Sequence, residues 1–218
     1  MRHLILFTLL LCLCSSCFEI KEKVAMNKDG SGKLVLTLDI SESAPTLKTY
    51  LETAKMTGQN VPTTDNINAM LSAIEKHFEN GEGMSNVETV RDFDNYVFAV
   101  KGDFTNIKAL NTVMAQVTQS FTRGALAGTM DNFIPDGNTL SRLFPYPLDK
   151  IKYDQMGMMY QYMLESARYT NEYEFAEPVQ AMSNEKASLD ETKTQVSMQQ
   201  SLASIIKGTG SLENDIDF

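Results

Sequence analysis

All three cysteines of this 218-residue chain, Cys12, Cys14 and Cys17, fall within its first seventeen residues. Whatever folds after them has no disulfide, no zinc-thiolate or iron–sulfur site and no thiol nucleophile. Many exported domains use disulfides as staples; this one must hold its shape by burying an apolar core. The composition permits that, with 43% hydrophobic and 22% charged residues, values ordinary for a globular domain.

The same cysteines mark the end of an apolar run. Arg2 and His3 are followed by Leu4–Leu13, the small pair Ser15-Ser16, and Cys17. A basic start, about ten apolar residues and a small pair form a secretory signal. The run is too short to cross about 30 Å of hydrocarbon, which takes roughly 20 residues. It resembles the signal of bacterial lipoproteins, in which the cysteine is lipidated and becomes the first mature residue. Cys14 holds the position usually taken by an aliphatic residue, and Leu13 stands one place further upstream. The resemblance implies a signal peptide over 1–16, cleavage between Ser16 and Cys17, and fatty acyl chains such as palmitate on Cys17. Each buried methylene adds about 0.8 kcal/mol, so two or three chains anchor stably. Phe18, not Asp, follows the cysteine, which implies outer-membrane placement, facing periplasm or cell surface. The charged start Glu19, Lys21, Glu22 and Lys23 is similar to export signals of surface lipoproteins in the Bacteroidota.

The chain carries 19 Lys+Arg against 28 Asp+Glu, a net charge of −9. Loss of Arg2 with the signal makes it more acidic still. Such a chain does not bind nucleic acid by counterion release, and an anionic bilayer repels it. Any hold on a membrane must come through acyl chains on Cys17.

After Cys17 the patterning predicts an α+β fold: antiparallel sheets built from hairpins, with helices packed on one face. The lipidated N-terminus, 17–26, leads into a strand alternating Phe18, Ile20, Val24 and Met26. Asn27–Gly32 reads as a turn with both glycines at positive φ, and Lys33–Ile40 alternates again. Leu47, Tyr50, Leu51 and Ala54 make one helical stripe. Ile67, Met70, Leu71, Ile74 and Phe78 make another, capped by Thr64 or Asp65. A second hairpin joins Ser85–Asp92 to Tyr96–Phe104, and a helix follows with Ile107, Leu110, Val113, Met114 and Val117. Residues 18–122 thus form an α+β half. Residues 123–218 read as mainly β, either a second unit or a continuation of the first. They hold a turn at Pro135–Asn138, a helix over Asp154–Leu164, strands over Ala167–Ala176, Thr192–Gln199 and Ser211–Phe218, and a short helix at Leu202–Ile206.

Cys17, the Asn27–Gly32 turn, the Phe98–Val117 strand–helix pair and the closing Ser211–Phe218 together resemble uncharacterised bacterial lipoproteins and are similar to the LppM-like domain. That resemblance implies a membrane-associated α+β module without established chemistry. The sequence departs from that family's pattern in having no second membrane-length apolar run before Phe218.

Each catalytic template tried against the residues fails or has a plainer reading. Asn27-Lys28-Asp29-Gly30 recurs in calcium loops, but with Gly30 sixth the first and twelfth ligand positions hold Ala25 and Leu36. Gly30-Ser31-Gly32-Lys33 lacks the preceding glycine and following Ser/Thr of a phosphate loop. His77, the single histidine after the signal, has no nucleophile elbow with it and reads as a solvated helix end. Met156, Met158, Met159 and Met163 lie among Tyr153, Tyr160, Tyr162 and Tyr169. Thioethers can hold Cu(I), but a packing face is the commoner use, and a partner- or lipid-binding face is the other alternative. The acid pairs Asp92/Asp94, Glu172/Glu174 and Asp215/Asp217 read as solvated sheet faces, with weak calcium binding or glycosidase-type chemistry behind. The expectation is a lipid-anchored envelope domain that binds an envelope protein or component and catalyses nothing. No catalytic residue, metal site or cofactor is assigned. The alternative is a carrier of lipid or another apolar ligand.

Overall fold

A computed structural model of the chain describes residues 18–56, 63–122, 131–144, 150–155, 161 and 164–218. Ser16 and Cys17 lie outside the described residues, as do Met156, Met158, Met159, Met163, Tyr160 and Tyr162, and the side chains of Tyr50 and Ala54.

The expected first hairpin forms. β1 (Glu19–Met26) pairs antiparallel with β2 (Gly32–Asp39), Val24 opposite Leu34. The turn between them needs one left-handed residue, Gly30 at φ +80°. Gly32, expected to be a second, is instead the first residue of β2. A Cβ there would stand 2.0 Å from the Ala25 carbonyl oxygen, so its lack of a side chain allows close strand approach. β3 (Met84–Asp92) and β4 (Val97–Phe104) make the second hairpin. Tyr96, expected in the strand, sits in the turn at φ +57°. Asp92 accepts the N–H groups of Asp94 and Asn95 there, and that local bonding competes with the ladder.

A 3₁₀ turn (Ser41–Ser43) leads into α1 (Ala44–Met56), followed by α2 (Thr64–Asn80) and α3 (Ile107–Thr122). The α2 cap is Thr63, one residue before the expected positions. Its hydroxyl accepts from Asn66 N–H at 3.2 Å, and Asn66 Oδ1 accepts from Thr63 N–H at 3.0 Å, a reciprocal capping box. Leu71, Ile74 and Phe78 of α2 and Leu110, Val113, Met114 and Val117 of α3 are buried, as the helical spacing predicts.

The later elements are β5 (Phe133–Asp136), β6 (Thr139–Arg142), α4 (Lys150–Gln155), β7 (Arg168–Phe175), β8 (Ala181–Met182), β9 (Ser188–Leu189), β10 (Gln195–Ser201), α5 (Leu202–Ile206) and β11 (Asn214–Asp217). Described helix therefore begins at Lys150, before the expected Asp154. The strand expected from Thr192 starts at Gln195, because Asp190 draws Thr192 and Gln195 into a turn.

These strands form an antiparallel-dominated α+β architecture. A seven-stranded sheet has the order β3-β4-β2-β1-β7-β10-β9, and a four-stranded sheet the order β5-β6-β11-β8. One junction is not a hairpin. β7 lies parallel to β1, Tyr173 beside Val24, so residues 168–175 extend the sheet that residues 19–39 began. α2, α3 and the small sheet contribute Phe78, Leu110, Phe133, Leu140 and Ile216 to one core with Val24, Leu34, Val100 and Tyr173. The opposite face of the large sheet carries cross-strand ion pairs: Lys21–Glu172, Lys23–Glu174, Lys33–Asp103 and Lys101–Glu88. An antiparallel sheet with one solvated face reads in this alternating way.

Candidate functional site

Glu22 belongs to a strand whose even residues point inward, between Ile20 and Val24. Its carboxylate is 0% exposed. It meets Arg142, 1% exposed, from β6 of the small sheet. Arg142 Nε donates to Glu22 Oε1 at 3.1 Å and Nη2 to Oε2 at 2.9 Å, a bidentate fork. Tyr173 donates to Oε1 and Tyr169 to Oε2, both at 2.9 Å, and Asn171 Nδ2 reaches Oε1 at 3.3 Å. The remaining guanidinium nitrogen donates to Asn132 Oδ1 at 3.2 Å and to the Leu143 carbonyl. The Phe133 ring lies 4.9 Å from the guanidinium carbon and packs edge-on against Tyr173.

Burial by itself would lower the Arg142 pKa; the Glu22 carboxylate outweighs it and raises the value. Burial, then the Glu22 charge, pushes the phenols of Tyr169 and Tyr173 well above 10.0. Both phenols stay protonated at neutral pH and remain donors. The cluster has the charge complementarity of a site, but almost no solvent-accessible surface on its two ions. It joins the two sheets.

Open concavities among the described residues lie elsewhere. A cleft of about 450 Å³ lies between α1, the start of α2 and the β3–β4 turn, lined among others by Lys48, Leu51, Ile67, Phe93 and Tyr96. Lys48 Nζ sits 5.5 Å from the Tyr96 ring centroid and donates to the Asp94 carbonyl at 3.3 Å. The volume lies within the usual range for small-ligand pockets, roughly 300–1,000 Å³. Its lining mixes apolar side chains with the charged Lys48, Glu52 and Asp65.

The residues singled out in the sequence are scattered. His77 is half-buried, with Nε2 2.7 Å from Ser120 Oγ on α3, so it bridges two helices where a solvated end was expected. Glu172 and Glu174 share the solvated face with Lys21 and Lys23. Asp92 closes a turn, and Asp217 accepts from Thr139 on β6. Asn27 and Asp29 bond within their own turn. Tyr153 is buried, donates to Glu165 and stacks under Lys207. Tyr169 lies in the Glu22 cluster, which sequence reading missed. Among the described residues no group of three or more His, Cys, Asp and Glu could hold a metal ion, and no helix is long and apolar enough to cross a membrane.

No family model matches the chain. No curated protein matches it either. Among solved structures it is similar to the NMR structure of the folded domain of LppM from Mycobacterium tuberculosis, at 9% identity over 93% of this chain and 89% of that one. The TM-score is 0.39. That is a partial overlap of layout, and neither fold nor function is drawn from it.

Proposed function

We propose that the chain is a lipid-anchored cell-envelope protein of the outer membrane, facing periplasm or cell surface, whose folded part binds an envelope protein or component and performs no catalysis. The observation that carries this reading is Cys17, at the end of an apolar run closed by Ser15-Ser16. Phe18 and Glu19 then enter β1 directly, so the reading divides the chain into a signal and a body with nothing between. The engagement of the candidate acids in ion pairs and turns favours a structural use of those carboxylates over a catalytic one.

A second reading, a carrier of lipid or another apolar ligand, takes support from the cleft beside Phe93 and Tyr96. One experiment addresses both. The full chain and its Cys17→Ser variant are expressed with the signal, fractionated, and the extracted protein is weighed intact by native mass spectrometry. The expected outcome is an acylated mass and a membrane fraction for the wild type, and release or retention of the precursor for Cys17→Ser with the fold unchanged. A processed variant still bound to membrane would refute the anchor. A co-purifying lipid favours the carrier; a co-purifying protein favours the adaptor.

A further inference from the structure

The registers trace one end of the large sheet residue by residue. Asp92 lies opposite Val97, Val97 opposite Asp39, Asp39 opposite Glu19, Glu19 beside Arg168, and Arg168 opposite Ser201. Glu19 is near the middle of that row, since β1 is the fourth of seven strands. Phe18 is tied to it, its carbonyl accepting from Arg168 N–H at 3.0 Å. Cys17 is joined to Phe18 by one peptide bond, so their Cα atoms are about 3.8 Å apart. A body of about 200 residues has a radius of gyration of roughly 16 Å. A tether this short on a body that large leaves little freedom to roll.

We infer that this strand-end surface, with the β3–β4 turn, the entry to α1 and the start of α5, is apposed to the lipid bilayer. The inference rests on acylation of Cys17 as proposed above. The tether selects the occupant: a bilayer holding acyl chains on Cys17 must lie within a few ångströms of Phe18, nearer than a second protein at this end could be inserted.

The surface is suited to a lipid headgroup layer. Half-buried apolar and aromatic residues collect on it: Phe18, Ile40, Phe93, Tyr96 and Leu202. Of these, Tyr96 has the ring with one polar end that favours such an interface. The carboxylates of Asp39 and Asp92 are turned to local N–H and O–H donors from Ser41 and from Asp94 and Asn95. Lys48, at the Asp94 carbonyl, and Arg168, in the row itself, stand at this end beside Glu19, Glu42 and Asp94, so its charges are mixed and the acyl anchor supplies the attraction. The opposite end, about 25 Å away along β1 at roughly 3.3 Å per residue, is the exposed polar turn Asn27, Lys28 and Asp29 with Glu177 across from it.

The test uses the acylated full-length product in vesicles of phosphatidylethanolamine and phosphatidylglycerol containing a headgroup-linked quencher lipid. A thioether-modified Cys17 takes no thiol label, so a fluorophore can be placed at Asp94→Cys or Lys28→Cys alone. The expected result is loss of fluorescence at Asp94→Cys and its retention at Lys28→Cys. Insertion of about a dozen Gly/Ser residues between Cys17 and Phe18, a reach of roughly 20 Å, should restore fluorescence at Asp94→Cys. Equal quenching at the two sites, stronger quenching at Lys28→Cys, or a linker variant that stays quenched would overturn the inference. Intact mass reports acylation separately: unmodified Cys17 refutes the anchor, and acylated protein with the wrong quenching pattern refutes only the orientation.

Discussion

At the scale of single residues, Glu22 and Arg142 set the sharpest constraint. Removing two ions fully from water costs several kcal/mol each, and only excellent geometry with further hydrogen bonds offsets that. Here the fork, the two phenols and Asn171 supply those bonds. Arg142→Met should therefore cost about 3–5 kcal/mol, because Glu22 is left buried and unpaired. Glu22→Leu with Arg142→Met should cost well under the sum of the single changes, while still carrying the penalty of leaving the Tyr169 and Tyr173 hydroxyls without their acceptor. Urea unfolding of the four proteins in a double-mutant cycle measures this; additive losses would mean that the pair is not coupled. Sequence reading took Glu22 for part of a charged start and missed this site, although one signal of it was present. Glu22 is in phase with Ile20, Val24 and Met26, and a carboxylate in an inward register signals a buried partner. The partner itself was not legible. Arg142 sits 120 residues away on a four-residue strand, and nothing local marks which cation crosses between sheets.

At the scale of elements, the α2–β3 contact is held by Glu75, which accepts from the Thr89 hydroxyl at 2.7 Å and from Arg91 at 2.7 Å. Those two hydrogen bonds, Thr89 first, hold the Glu75 carboxyl below its usual 4.5. A carboxylate with a lowered folded pKa binds fewer protons folded than unfolded, so its stabilisation is full above 4.5 and is lost as pH falls through the lowered value. Glu75→Gln should lower the urea midpoint near neutral pH, and the difference should shrink as pH is taken down from 4.5 towards about 3. Part of the group is exposed to solvent, so the neutral-pH effect should be about 1 kcal/mol or less. Equal differences at the two pH values would rule the carboxylate charge out as the cause. Elements of this kind were readable where one period ran uninterrupted, as in α2, α3 and the β1–β2 hairpin. Boundaries moved where a side chain competed for backbone groups: Thr63 at a cap, Asp92 ahead of Tyr96, Asp190 ahead of Gln195. The parallel β1–β7 junction was beyond reach, because an alternating strand carries no mark of the direction of its neighbour.

At the scale of the whole molecule, that junction decides what can fold alone. β1 is bonded on one side to β2 and on the other to β7, and β10 continues from β7. The core that α2 and α3 cover also contains Phe133, Leu140, Tyr173, Val196 and Ile216. A fragment of residues 18–122 would keep both hairpins and their helices but expose β1 as an edge, a template for association. It would also strand Glu22 without Arg142, Tyr169 or Tyr173. Local contacts would survive while the pairing that buries the middle of the sheet would not. The fragment should therefore show no cooperative urea transition and poorly dispersed amide resonances, where residues 18–218 show both cooperativity and dispersion. A fragment that unfolds cooperatively at a midpoint near that of the longer chain would mean that the first half is a domain in itself. In that case the Glu22 cluster would be a docking joint between two stable bodies rather than part of a single core.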